Sequence, residues 1–469
     1  MKVGILERYV MNLGVGFMLS SFIKNRKDLE RSEIHSYALD IVEEGLRSAD
    51  PKEAIKKSVY LLNNSKLCVN NKVIEIDGRI HVVGFGKASK RMAEGIYEVL
   101  NDKIVGGVVI TPQDYGVLGS IQIVKGDHPI PKENTLNASK KLIEYLMNNV
   151  RENDVVFVLI SGGGSALFEV PADGISIDDI AIVSRELMKR GADIVELNAV
   201  RKHLSLVKGG GLLRYIKARY IISLIISDVV GDRLDTIASG PTVADETTFR
   251  DAYRVLLKYG LWDEIPINIR KRIEKGIQGK IPETVKPYDE ILKKVLNVVV
   301  ASNTISLKAM AKKSEELGFK SMILTPFIEG EAREVGKVLA AIMKSIRYLK
   351  APLEPPVALL AGGETTVFVR GKGVGGRNQE LCLSLAIKIS DLKNAVAVCL
   401  GSDGIDGVSP AAGAIVDGEV VKEAVLQGMD PNKYLEDNDS YSFFSKLKRA
   451  IITGYTGTNV NDFFVALIP

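Results

Sequence analysis

Asp154 to Ile160 carries an unbroken apolar run, Val155-Val156-Phe157-Val158-Leu159-Ile160, with no polar residue at either alternate position. A strand of this kind is buried on both faces, which places it inside a parallel sheet with helices above and below. The pattern recurs, with at most one polar interruption, at Tyr220 to Ile226, Val295 to Ala301 and Ala395 to Leu400. Helical periodicity lies between and around these runs, at Ile34 to Leu46, Asn134 to Met147, Ile177 to Lys189, Thr247 to Tyr259, Ser306 to Gly318, Glu331 to Tyr348 and Asn378 to Ile389. Strand alternating with helix predicts a doubly wound α/β architecture, in which ligands collect outside the carboxyl ends of the strands.

A chain of 469 residues exceeds what one compact core supports. The polar stretch Gly279 to Pro287 is the best linker, and beyond it the strand–helix pattern restarts at Val295, with further strands at Val357 to Leu360, Thr365 to Arg370 and Phe463 to Ile468. The expected division is an extension over 1–31, an N-terminal α/β domain over 32–278, a linker over 279–290 and a C-terminal α/β domain over 291–469. The expected active-site cleft lies between the two domains.

Several function classes are disfavoured by what the sequence lacks. Lys+Arg 62 against Asp+Glu 58 leaves only +4, without a basic block, so nucleic acid is not expected as a partner. No apolar stretch is long enough to span a membrane. The four histidines form no metal-binding spacing, and Cys68, Cys382 and Cys399 read as buried thiols of a reducing, cytoplasmic compartment. Residues 1–27 lack a clear small-residue cleavage site and read as an amphipathic or poorly ordered extension rather than a secretory signal.

The 43 glycines cluster in loops that follow strands. Val82 to Phe85 leads through Gly86 into Lys87 and a helix whose apolar side holds Met92, Ala93 and Ile96. A lysine in the first turn of a helix opposes the helix dipole, so Gly86 and Lys87 describe a site awaiting an anion. Ser161-Gly162-Gly163-Gly164-Ser165 follows the most buried run and suits an anion-binding nest. Asp228 and Asp232 stand after another strand, and Asp403 after a third; carboxylates there suit Mg²⁺ or proton transfer. Glu364, and Gly375-Gly376-Arg377-Asn378, form the second domain's counterpart, again delivering a cation to a helix start; Lys208 is a further candidate phosphate contact. Two cations aimed into one cleft are what phosphoryl transfer requires.

Gly86-Lys87-Ala88, Asp127-His128-Pro129, Ser161 to Ser165, Asn198 to Ser205, Ala238-Ser239-Gly240-Pro241, Gly375 to Glu380, Ser402 to Gly407 and Thr456 to Asp462 together resemble the glycerate 2-kinase family, from about residue 32 to the end. The resemblance implies a Rossmann-like N-terminal domain, a MOFRL C-terminal domain, and ATP- and Mg²⁺-dependent phosphorylation of D-glycerate on its 2-hydroxyl. The family's essential lysine and arginine map onto Lys87 and Arg377. D-glycerate and a nucleotide are then the small-molecule partners, and a homodimer is a further expectation.

A nicotinamide-dependent hydroxypyruvate reductase is the alternative that Gly84-Phe85-Gly86 invites. Ser89 replaces the third glycine, and the next strand ends in Thr111-Pro112 without the acid that would hold a ribose. A non-catalytic anion-binding module has no use for carboxylates at several strand ends.

Overall fold

The computed structural model describes residues 21–113 and 115–469. A small antiparallel meander comes first, β1 (Val59–Asn63), β2 (Lys66–Val69) and β3 (Lys72–Glu75). The first large sheet contains β4 (Ile80–Phe85), β5 (Ile104–Thr111), β6 (Gly116–Leu118), β7 (Ile121–Lys125), β8 (Val155–Ile160), β9 (Tyr220–Ile226) and β10 (Val295–Ala301) in the order β10-β9-β8-β4-β5-β7-β6. Every pair in it is parallel except β6 with β7. Both faces of β4 and β8 are buried; β8 is apolar throughout, and in β4 the one polar side chain, His81, is buried against Tyr145 and Asp154.

The second sheet holds β11 (Lys320–Ile328), β12 (Val357–Gly363), β13 (Val396–Gly401), β14 (Gly413–Asp417), β15 (Ala450–Ile451) and β16 (Asp462–Ile468), ordered β11-β12-β16-β13-β14-β15. Only β11 with β12 is parallel; the other pairs are antiparallel. The continuous run in β13 is explained by cover on both faces. Val396, Val398 and Leu400 enter one core with the helices Glu33–Ser48 and Asn303–Glu316, while Ala397 and Cys399 enter another with Ala332–Lys344 and Arg377–Lys388. Each Val, Leu or Phe fully buried this way contributes about 1.5–3 kcal/mol.

Three places differ from the sequence reading. β10, expected to restart the pattern in a second domain, pairs in register with β9 at the edge of the first sheet. The helix after it, Asn303–Glu316, crosses to the second sheet and packs on Glu33–Ser48, where Gly45 lets Met310 approach. Thr365 to Arg370 is not a strand: the chain leaves the sheet after Gly363, at φ +146, and exposes Phe368 and Val369. The stretch expected as a linker is pinned down as well, with the Val285 N–H donating to Gly209 O and the Asp245 N–H to Val285 O.

Of the extension expected over 1–31, residues 1–20 lie outside the described residues. The remainder packs onto the second sheet. Ile23 and Leu29 are buried, the Lys24 N–H donates to Ile452 O, and Asn25 bonds both Ala450 and Ile452 beside β15.

Candidate active site

β4 and β8 are neighbours, yet their successors β5 and β9 lie on opposite sides of them. That reversal opens a crevice at the carboxyl ends, where side chains and ligands can enter. Gly86-Lys87 leaves β4 there, and Ser161-Gly162-Gly163 leaves β8. The two turns are stitched together. The Lys87 N–H donates to Gly162 O at 2.9 Å and the Ala88 N–H to Ser161 Oγ at 3.0 Å. Gly86 sits at φ +130, and a Cβ there would fall 2.2 Å from Ser161 Oγ, so only glycine permits this approach.

The first turn therefore spends its N–H groups inside the protein, not on an anion as expected. The N–H groups of Gly162 and Gly163, by contrast, have no hydrogen-bond partner among the described residues. Lys87 lies two residues before the helix Ser89–Leu100, just outside the first turn expected for it. Its side chain is exposed and reaches past Gly163. Among the described residues no carboxylate stands within ion-pair distance of its ammonium group.

Asp228, just beyond β9, leans over the same loop, and a Cβ on Gly162 would fall 2.1 Å from its Oδ2. Burial pushes the Asp228 carboxyl above the ordinary carboxylate range, while the charge of Lys87 pulls it down and Glu364 pushes it up. His128, facing Gly163, is held below the ordinary imidazole range by burial and by Lys87. A cavity of about 690 Å³ opens over these groups. Its first wall carries Lys87, Lys90, Arg91, Glu94, His128, Ser161, Gly162 and Asp228, and its second carries Asp403, Tyr455, Gly457, Thr458 and Asn459.

Arg377 opens the helix Arg377–Lys388 but does not line this cavity. The register of the second sheet sets Asp462 opposite both Gly363 and Gly401, beside Glu364. Arg377 Nε and Nη2 donate to the Asp462 carboxylate at 2.6 and 3.0 Å, and Nη1 donates to Glu364 Oε1 at 2.7 Å. Burial pushes the Asp462 carboxyl up to about 6, against the pull of Arg377. Lys87, Asp228, Glu364 and Arg377 thus form a row from the first body to the second in which two carboxylates face each other between two cations.

Several expected contacts have other duties. Asn378 is buried, and Asp406 accepts from its N–H and side chain while taking two further bonds from Gln379. The anion expected at this helix start is thus the protein's own Asp406. Gly375 and Gly376 permit close packing on Ser440 and Asp406 rather than forming an open cradle. Lys208 is buried beneath the glycine loop, bonded to Ser165 O at 2.9 Å and Glu169 Oε2 at 3.1 Å, out of reach of a ligand in the cavity. Gly164 packs on Ala238, and Ser165 bonds Ser239 Oγ.

Of the three aspartates expected for Mg²⁺, Asp228 and Asp403 line the cavity, whereas Asp232 occupies a turn at φ +55 away from it. No three acidic, histidine or cysteine groups converge as a metal cluster among the described residues. The reading from sequence missed Arg91, which Asp50 holds at 3.2 and 2.5 Å; Tyr455 falls in the loop Thr453 to Asn459, whose glycines and hydroxyls suit a nucleotide or metal from sequence alone. The spacing Lys87, Arg91, Glu94, which marks one helix face, was the available signal for Arg91.

Residues 37–274 match the family described as a domain of unknown function, DUF4147, and residues 357–462 match the MOFRL family. A curated relative from Pyrococcus horikoshii named glycerate 2-kinase is 45% identical over 93% of this chain and 98% of its own length. Another, from Thermotoga maritima, named D-glycerate 2-kinase, is 41% identical over 92% of this chain and 97% of its own. The crystal structure of glycerate kinase from Thermotoga maritima superposes with a TM-score of 0.84 at 40% identity, covering 92% of this chain and 99% of that one.

Proposed function

The chain belongs to the glycerate 2-kinase family, and from that premise we propose that it transfers the γ-phosphoryl group of ATP to the 2-hydroxyl of D-glycerate, giving 2-phospho-D-glycerate and ADP. The observation that carries this reading is Lys87, a cation without an ion-pair partner among the described residues, set in one cavity with Asp228 and the glycine loop whose Gly162 and Gly163 N–H groups have no partner among the described residues.

The glycerate hydroxyl oxygen attacks the γ-phosphorus, the bond from that phosphorus to the bridging oxygen of ADP breaks, and the hydroxyl proton passes to the Asp228 carboxylate. Burial makes Asp228 a stronger base than a surface aspartate, which suits that role. Lys87 balances charge on the phosphoryl group in transfer. The N–H groups of Gly162 and Gly163 hold an anionic oxygen of either substrate. Arg377 fixes Glu364 facing Asp228 and keeps two of its five N–H donors unspent. Mg²⁺, when bound with the nucleotide, would neutralise phosphate charge. Asp403 on the second wall would hold it, since one carboxylate plus phosphates suffices for that ion. The three cysteines, all free and buried, suit a reducing cytoplasm.

The hydroxypyruvate reductase reading fails on the turn after β4. A bound dinucleotide needs that turn's N–H groups, and those of Lys87 and Ala88 are taken by Gly162 and Ser161. The test is purified protein with D-glycerate, ATP and Mg²⁺, with the 2- and 3-phosphoglycerates resolved. The 2-isomer with stoichiometric ADP is expected. The 3-isomer alone would overturn the regiochemistry, and NADH oxidation by hydroxypyruvate without kinase turnover would overturn the reaction.

A further inference from the structure

The cavity is far larger than a three-carbon acid needs, and its two ends differ in kind. The inner end, at Lys87, Gly162 and Asp228, offers a cation, an open backbone donor and a carboxylate. From Ser89, two residues after Lys87, to Glu94 the helix rises about 8 Å, which separates the two ends of the cavity. At that outer end a loop of the second body closes the cavity. A Cβ at Gly457 would stand 3.4 Å from Arg91 Cδ, which fixes the loop at the level of Arg91.

Tyr455 belongs to this loop, between Gly454 at φ +67 and Gly457 at φ +83. It lines the cavity while leaving 86% of its surface exposed. Among the described lining residues it alone carries a benzenoid ring, and no hydrogen bond ties its hydroxyl to the protein. An exposed phenol ring on a cavity wall offers a flat face on which a planar ligand group can stack. Nucleobases do so without regard to identity, because every base has a π-face.

We propose that Tyr455 is the stacking platform for the base of the donor nucleotide, with the phosphates running along the helix Ser89–Leu100 past Arg91 to Lys87. This rests on the kinase reading and adds to it which body receives the base. It assigns the base to the second body and the phosphates to the first, so the nucleotide itself bridges the cleft.

The test is equilibrium binding to the full chain of two probes, ADP and inorganic tripolyphosphate, for wild type, Tyr455→Ala and Tyr455→Phe. Tyr455→Ala should weaken ADP by roughly tenfold to a hundredfold, the size of one base–aromatic stack, and leave tripolyphosphate within twofold. Tyr455→Phe should bind ADP within about threefold of wild type, since its ring remains. Unchanged ADP binding by Tyr455→Ala overturns the proposal, as does an equal loss of both probes, which would make Tyr455 a support of the loop. A wild type that binds neither probe and does not phosphorylate glycerate overturns the kinase reading itself. A wild type that does phosphorylate glycerate, with an unaltered KM for ATP in Tyr455→Ala, overturns the stacking alone.

Discussion

Lys87 and Arg377 occupy matching places in the two bodies, each after a glycine turn at the start of a helix, and the protein treats them in opposite ways. Lys87 has no ion-pair partner among the described residues and stands exposed over the cavity. Arg377 is clamped by Asp462 and Glu364, and its helix start is already filled by Asp406. An unpaired cation is free to respond to charge that appears during a reaction; a paired one fixes the position of the carboxylates around it. On the proposed reading, the difference separates a group that would act on the substrate from one that also holds the site together.

Breaking the clamp should have the largest effect. Arg377→Ala leaves Asp462 buried without its counter-charge, a kind of loss that costs roughly 3–5 kcal/mol in buried pairs. Activity and thermal midpoint should fall together, read by steady-state kinetics beside calorimetry. Arg377→Lys should recover little of either, because an ammonium group cannot reproduce the two-pronged bond to Asp462. Lys87→Ala is the converse. Its kcat should drop on the order of 10² or more while its melting temperature stays within a degree or two of wild type. A matching loss of stability would erase the contrast.

The contrast also has a pH signature. With its carboxyl pushed up to about 6, Asp462 takes a proton as pH falls through that value and releases its hold on Arg377. An acid limb near pH 6 is therefore expected in the kcat profile, and Asp462→Asn should flatten it at reduced activity. Because this pKa is raised in the folded state, the group favours folding at low pH and loses that contribution as pH rises from about 4 toward 6. Glu283, in the first body, has the opposite sign and the smallest effect. Burial opposes its charge, but hydrogen bonding to His203 outweighs this and draws its carboxyl down to about 2, so its contribution is present above the ordinary glutamate range and fades as pH falls toward 2. Acid melts of Glu283→Gln should lose this dependence.

What the sequence made legible were features whose cause is local. The runs in β4, β8, β9 and β13 announce strands because burial on both faces leaves few polar positions, and the segments after β4, β8 and β9 marked Lys87, Gly162 and Asp228. Sheet membership was not legible. Val295 to Ala301 has the same apolar pattern whichever sheet it joins, and two-sided burial does not tell the antiparallel β13 from the parallel β8. Nor does sequence reveal whether a cation near glycines faces solvent or a buried carboxylate. Lys208 and Lys87 look alike until Glu169 is found beneath the loop. That Tyr455 and Arg91 share one cavity was not legible, because its mouth is created by two distant segments meeting.

The chain passes between the two bodies at two points, once after the helix Glu33–Ser48 and once between β10 and the helix Asn303–Glu316. These passages touch, for Ser48 Oγ donates to Ser306 Oγ at 3.1 Å. Two connections that meet at one place act as a pivot, not as a pair of braces set apart. Arg91 of the cavity wall bonds Asp50, two residues beyond this crossing, so the cavity lies beside the pivot. The same wiring means that severing the chain near residue 290 would not yield two self-sufficient halves. The downstream piece would lose Leu39, Val42 and Leu46, which complete its core from the other end of the chain. Gene fusions and truncations that treat residues 291–469 as a portable module should therefore give insoluble protein, and including residues 21–48 in trans should restore it.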